Sequence, residues 1–371
     1  MIEIKVVKTK KEQKQFLDFP LKLYQNNKYF VPPLYADEKK IFNKNYVYYE
    51  TSEAVYYNAY KDGEMVGRIS GILQKASNEK WKQKRVRFTR FDAIDDQEVA
   101  DALFNAVEKW AKEKGMCEVV GPLGFSDLER EGLLIEGFEE IATFEEQYNY
   151  SYYQKLIENN GYVKEVDWTE RKVYLPDEED NRFDKLIPYI MKKYNLSFAK
   201  FKNINECIKK YGDKLFDIID QTYEHIYGSV PFTKGMKKML ISNFKTIIKT
   251  DDIVLVVDEN DQVVSFGLAI PAIGPALQKS RGHLTLPALF KILKIKNKPK
   301  VIDLALIGVI PEYEMRGVSS ILISFVKNRL KNGVDYMETN LNLETNYHIQ
   351  NQWKSFKTIQ HKRRRSFVKQ I

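Results

Sequence analysis

Cysteine is nearly absent from this chain. Cys117 and Cys207 are the two present, they lie far apart, and they form neither a metal nor a redox motif. That scarcity fits a reduced, cytoplasmic setting. The four histidines, His225, His283, His348 and His361, show no ligand spacing, so no metal is expected. No apolar run approaches the ~20 residues that span a bilayer, so no membrane partner is expected. The first residues, Met1-Ile-Glu-Ile-Lys-Val-Val-Lys, are charged from the start and do not read as a signal peptide.

What is present is a chain of 371 residues, 43% hydrophobic and 30% charged. It is long enough for two domains and a sizeable core. The net charge of +8 favours anionic partners such as phosphates, nucleic acid or anionic lipid. Part of the excess is local. Lys291, Lys294, Lys296, Lys298 and Lys300 form one cluster and Lys362-Arg-Arg-Arg365 another. Both read as solvated faces. With only Phe356 and Phe367 near the second cluster, stacking on nucleic acid is not expected.

Element order repeats along the chain. Residues 2–7 read as a strand and 10–26 as a helix divided by Pro20. Residues 54–72 form a hairpin through Asp62-Gly63, and 85–91 a further strand. Val99, Leu103, Val107 and Trp110 mark a long helix stopped at Gly115. Residues 116–120 are a strand, 149–160 a helix, and a strand pair runs to about residue 175. The polar stretch 176–181 reads as a linker. The second half repeats this order, with a hairpin at 253–270, a strand at 301–310, a helix at 318–330, a strand at 334–343, a helix at 346–356 and a last strand at 361–369. Both hairpins carry a glycine in the second strand, Gly67 and Gly267. The expected division is therefore 1–176 and 182–371, an internal duplication of architecture. Two inserts stand out: residues 121–148, rich in glycine, acids and aromatics, and the basic segment 274–300.

The strand at 301–310 is apolar throughout, as for burial on both faces. Pro311 ends it. Gly317, Ser319 and Ser320 then open the helix at 318–330, leaving its free N–H groups and positive dipole end accessible to an anion. In the strand at 334–343, period two puts Tyr336, Glu338, Asn340, Asn342 and Glu344 on one face. Such a polar row on a central strand either lines a cavity or is fully hydrogen-bonded.

The order of elements, with Pro-x-x-x-x-Arg-Gly between a mid-sheet strand and a helix, resembles the Gcn5-related N-acetyltransferase (GNAT) superfamily, in each half. The first half also looks like a group of uncharacterised bacterial tandem GNAT-like proteins, through its Gly-Pro-x-Gly-Phe-Ser stretch at 121–126. The resemblance implies an α/β (α+β) fold of two tandem domains, each a mixed, mostly antiparallel twisted sheet flanked by helices. Glu314-Met-Arg-Gly317-Val-Ser319 matches the family's phosphate loop, with an acid in the first position. The first half has three aspartates where its loop should be. The resemblance thus implies an N-acyltransferase using acetyl-CoA or another acyl-CoA, held in the second half by Ile307, Val309, Arg316, Gly317, Val318, Ser319, Ser320 and Asn346. Glu338 or Glu344 would take the proton from a small-molecule or peptide amine, and Tyr336, Asn340 and Asn342 would contact that substrate. The family's tyrosine is Trp353 here, which keeps open an inactive binding or regulatory protein. Monomer and homodimer both remain open.

Overall fold

A computed structural model describes residues 1–178 and 181–371; of the expected linker, Glu179 and Asp180 lie outside the described residues. The first half lays down β1 (Ile2–Val6), β2 (Ser52–Lys61), β3 (Glu64–Gln74), β4 (Arg85–Ala93), β5 (Glu118–Gly121), β6 (Leu133–Glu136) and β7 (Val163–Tyr174). The second half adds β8 (Ser197–Phe198), β9 (Ile253–Val257), β10 (Val263–Pro271), β11 (Val301–Val309), β12 (Tyr336–Thr339), β13 (Asn342–Leu343) and β14 (Lys357–Gln370). All join one sheet, in the order β1-β2-β3-β4-β5-β14-β7-β12-β11-β10-β9-β8, with β6 on β14 and β13 on β7.

Most pairings are antiparallel; β4–β5 and β11–β12 are parallel. Parallel neighbours need a crossover, because no tight turn can join them. The helices Gln97–Glu113 and Ser319–Lys331 supply it. Asp96 caps the first, accepting from Glu98 N at 3.0 Å. Val99, Leu103 and Val107 on that helix are fully buried. The two hairpin glycines have a packing reason. A β-carbon on Gly67 would lie 2.9 Å from Leu103 Cδ1, and one on Gly267 would lie 3.4 Å from Leu322 Cδ2. Each glycine lets its crossover helix approach the sheet.

The halves exchange their last strands. β7, from the first half, pairs with β12 of the second. β14, from the second half, pairs with β5 of the first. The two then pair with each other, from Lys357–Tyr174 to Val368–Val163. The boundary expected at 176–182 marks the chain connection, but the sheet crosses it twice. The strand pair expected before residue 175 is the single strand β7. The strand expected at 334–343 is interrupted after Thr339: β12 and β13 both pair with β7, but from Glu338 to Asn342 the chain uses one residue more than β7 does, and the alternation shifts.

The second basic cluster is not solvated. Lys362 and Arg364 lie on β14 at 1% and 0% exposure. Arg364 Nε donates to Glu170 at 2.7 Å, and Arg365 Nε to Asp167 at 2.7 Å. Lys362 Nζ bonds both Glu170, at 3.3 Å, and Glu338. Acids on β7 and β12 thus meet the bases of β14 at the exchange seam, where a buried charge survives only when paired.

Candidate active site

The site forms where two parallel strands part. β11 and β12 pair only over Val301–Leu304. Asn340 N still reaches Leu304 O at 3.2 Å. Beyond it β13 stays on β7, as β12 does, while β11 continues along β10 to Val309. The gap opens into a cavity of about 720 Å³, within the size range of ligand pockets. β11 from Leu304 to Val309 forms one wall, and residues 339–343, 345 and 346 the other. The helix Ile204–Thr222 closes it with Tyr211, Leu215, Phe216 and Ile219, joined by Ile241, Phe244 and Ile248. These side chains make the cavity predominantly apolar. Glu314 and Leu322 carry its lining toward the loop that opens the helix Ser319–Lys331.

In that loop Gly317 has φ +76°, a left-handed conformation suited to glycine. Ser320 Oγ donates to Gly317 O at 2.7 Å, and Val318 is buried. Arg316 lies over the rings of Tyr313 and Tyr194, at 4.7 and 5.2 Å, and reaches Glu312 at 3.3 Å. Its guanidinium is held beside the loop by stacking. The residues fit an anion cradle: a 13-residue helix with small residues at its start and a cation alongside.

The equivalent space in the first half is filled. Leu123 N donates to Phe88 O at 2.9 Å, so the chain after β5 lies along β4. Phe125 follows, fully buried and stacked on Tyr48 at 5.2 Å. The 121–148 insert closes the first half's gap and continues into the second half's cavity. There Asp127, Glu131, Glu145 and Glu146 join the lining. Burial raises all four above the usual carboxylate range, Glu145 to about 7 and Glu146 to about 8. Glu131 and Glu146 are 4% exposed, and each keeps one carboxylate oxygen without a hydrogen bond.

The expected site residues divide into two groups. Ile307, Val309, Asn340, Asn342 and Asn346 line the cavity. Asn346 also caps a helix, accepting from Ile349 N at 3.2 Å. The acids expected as bases lie elsewhere. Glu338 is buried against Lys362 and against His361 Nε2 at 2.9 Å. Burial alone would raise its pKa, but the Lys362 ammonium and the hydrogen bond with His361 outweigh burial and hold it below the usual range. Glu344 pairs with Lys164 at 2.7 Å and accepts from Asp167 N at 3.2 Å. Neither lines the cavity, so the period-two row does not act as one face; the break after Thr339 divides it. Tyr336 lies against Tyr174 at 5.8 Å under Lys172, its hydroxyl pushed up to about 12 by burial and then by Glu338.

Glu170, Glu338 and His361 bring ligand-type atoms within 4.8 Å of one another. Lys362, bonded to both carboxylates, supplies the positive charge there.

Tyr223 escaped the sequence reading. Its hydroxyl donates to Ile307 O at 3.1 Å and accepts from Ile307 N at 3.3 Å, on the backbone edge facing the gap. It lines the cavity, and burial raises its pKa. It follows the helix Ile204–Thr222, 84 residues before its partner, so no local spacing signals it. Trp353 Nε1 donates to Asn342 Oδ1 at 2.7 Å and fixes that amide.

No family model matches the chain. Protein YghO of Escherichia coli (strain K12) is 26% identical over 98% of this chain and 94% of its own length. A protein named bacterial ceramide synthase, from Caulobacter vibrioides, is 24% identical over 65% of this chain and 63% of its own length. Among solved structures, a tandem GNAT protein from the clavulanic acid biosynthesis pathway superposes with a TM-score of 0.55 at 10% identity, covering 100% of this chain and 98% of that one. The fold is that of two tandem GNAT-like domains.

Proposed function

We propose that this chain transfers an acyl group from a coenzyme A thioester to an amine, in the second half. The observation that carries the proposal is the apolar cavity at the parted strands, lined by raised carboxylates and leading toward a glycine-opened helix start. Acyl-CoA, when bound, supplies the activated acyl group. The N–H groups of Gly317, Val318 and Ser319 would hold its pyrophosphate at the positive end of the helix dipole, whereas the expected Ser320 is buried with its own N–H on Gly317 O at 3.0 Å. Arg316 adds charge from the side. The gap-facing backbone of Ile307 and Val309 pairs with the pantetheine arm once Tyr223 yields its two bonds. Tyr223, its hydroxyl freed, would be the residue placed to supply a proton to the leaving sulfur, in place of the tyrosine that Trp353 replaces.

Glu146, with Glu145 beside it, accepts the proton from the ammonium. A carboxylate raised to about 7 or 8 exchanges protons near neutral pH, whereas Glu338 is tied up as a counter-ion. Asn340 and Asn342 orient the acceptor from the opposite wall. A cavity this apolar suits a long aliphatic chain. The Caulobacter relative's name supports a lipid substrate, since a ceramide is an amide of a fatty acid. In these roles the first half contributes the acids and the second half the cofactor loop.

A second reading, a binding or regulatory protein without turnover, is favoured by Glu314 at the loop and by the bonds Tyr223 makes to Ile307. Thiol release separates the two. Acyl-CoAs from acetyl to hexadecanoyl are offered with a long-chain primary amine. Release that depends on the amine and rises with acyl length is expected. Binding of every donor with no release would establish the second reading.

A further inference from the structure

The helix Leu286–Asn297 carries an apolar stripe that nothing among the described residues covers. Leu286, Leu289, Phe290 and Leu293 recur at i, i+3, i+4 and i+7, and are 72%, 40%, 73% and 52% exposed. Leu284, just before the helix, is 51% exposed. This stripe is not the face that joins the core. Ala288 is 4% exposed, and Ile292 and Ile295 pack inward against the cluster that holds Phe244 and Ile247. The helix is therefore apolar on two opposite sides, one packed and one open.

Charge identifies what the open side meets. At roughly 100° per residue, Lys294 and Lys296 fall on opposite edges of the exposed stripe. Lys291 lies on the far side with its Nζ on Pro275 O at 2.5 Å, and Lys300 pairs with Asp335 at 3.2 Å. Lys298 follows at the helix end, with Lys279 and Arg281 on the preceding segment, and residues 274–300 contain no aspartate or glutamate. Lys249 joins them, its Nζ reaching Asn297 O at 3.4 Å. An apolar stripe bordered by lysines matches a helix lying in the plane of an anionic bilayer surface, with lysine stems snorkelling to the headgroups. An acidic protein groove would satisfy the lysines but gives no reason for a convex stripe led by Phe290. No described helix is long and apolar enough to cross a membrane, so the contact is peripheral.

We infer that the helix Leu286–Asn297 docks the protein on an anionic membrane surface. This amends the expectation of no membrane partner and turns the first lysine cluster from a solvated face into a contact. The surface is also joined to the cavity. Lys296 Nζ donates to Thr246 O at 2.6 Å, and Phe244 and Ile248, on either side of Thr246, line the cavity. Docking therefore sets a cavity wall beside the bilayer, where lipid chains reside.

Flotation of the full chain with vesicles of phosphatidylcholine and phosphatidylglycerol in equal parts tests the inference, with pure phosphatidylcholine vesicles in parallel. Binding to the anionic vesicles, weakening as salt is added, is expected. Phe290→Ser with Leu293→Ser should lower partitioning at least about tenfold. Lys294→Gln with Lys298→Gln should cost about fivefold per lysine, on anionic vesicles only. All four side chains lie outside the core, and an unchanged melting curve verifies the fold of each variant. The inference is overturned by no binding to anionic vesicles or by binding that neither pair affects. It is equally overturned by a dimer that the Phe290/Leu293 pair dissociates, or by salt-sensitive RNA retention in place of vesicle binding. Because binding is read without turnover, its failure leaves the acyl-transfer proposal standing, and the reverse.

Discussion

Glu146→Gln should make the protein more stable in alkali and less active. Glu146 is 4% exposed, its Oε2 has no hydrogen bond, and burial raises it from 4.5 to about 8. The unfolded chain loses this proton near 4.5, while the folded protein keeps it to about 8. The folded state thus binds more protons across that window, and stability falls as pH rises through it. At 1.36 kcal/mol per pH unit the gap corresponds to a ceiling of about 5 kcal/mol. Relaxation and water entering the cavity reduce the cost, leaving about 1–3 kcal/mol. Glutamine keeps the shape and removes the charge. Urea unfolding should therefore show the variant about 1–3 kcal/mol more stable than the parent near pH 9, and within about 0.5 kcal/mol of it near pH 5. Amine-dependent thiol release should fall by roughly 10²–10⁴-fold, and the parent's rate should climb as pH rises toward 8. A variant less stable than the parent at every pH would refute the reasoning, because Glu146 would then be a paired structural acid.

Three further outcomes follow from the geometry. Tyr223→Phe removes the hydroxyl on Ile307; turnover should fall about tenfold or more, with stability changed by about 1 kcal/mol, and a rate unchanged at saturating substrates would remove Tyr223 from the chemistry. Gly212 faces the cavity with Ile208 Cγ2 no nearer than 3.7 Å to a β-carbon, so Gly212→Leu should fit, gain about 0.5–1 kcal/mol of helix stability and shift donor preference to shorter chains; an unaltered chain-length profile would place the acyl chain elsewhere. Lys362→Met leaves Glu170 to Arg364 and removes the ammonium from buried Glu338, which keeps His361, and should cost about 3 kcal/mol in chemical unfolding, whereas a neutral effect would show the seam to be hydrated.

What could be read from the sequence was what local pattern determines. The Asp62-Gly63 turn, with both residues at positive φ, the crossover helices, and the glycines that admit them all follow from spacing over a few residues. The loop at Gly317 was legible for the same reason. The exchange of β7 and β14 was not. Either strand offers suitable alternation to either half, and the choice rests on acids of β7 and bases of β14 up to 198 residues apart, as for Arg365 with Asp167. That choice also explains why the expected bases moved. Glu338 lies on β12, with β7 between it and β14, and only the exchange brings Lys362 to it. The acids of the 121–148 insert were visible as a run, but which of them face the cavity depends on how Leu123 and Phe125 fill the first half.

Those exchanged strands also predict that residues 1–176 and 182–371, expressed separately, remain unfolded by circular dichroism and recover when coexpressed; two independently folded halves would mean the seam is dispensable.

The central claim is that the second half holds a coenzyme A thioester at the Gly317 loop. Thermal unfolding with and without coenzyme A, repeated on Gly317→Glu, tests it most directly. Ligand at about 100 times its dissociation constant adds about 2.7 kcal/mol, a rise of several degrees for a chain this size. The account predicts that rise in the parent and its loss in the variant, where an acid and a strained φ meet the pyrophosphate. No rise in the parent up to millimolar ligand, or an equal rise in both proteins, would contradict it.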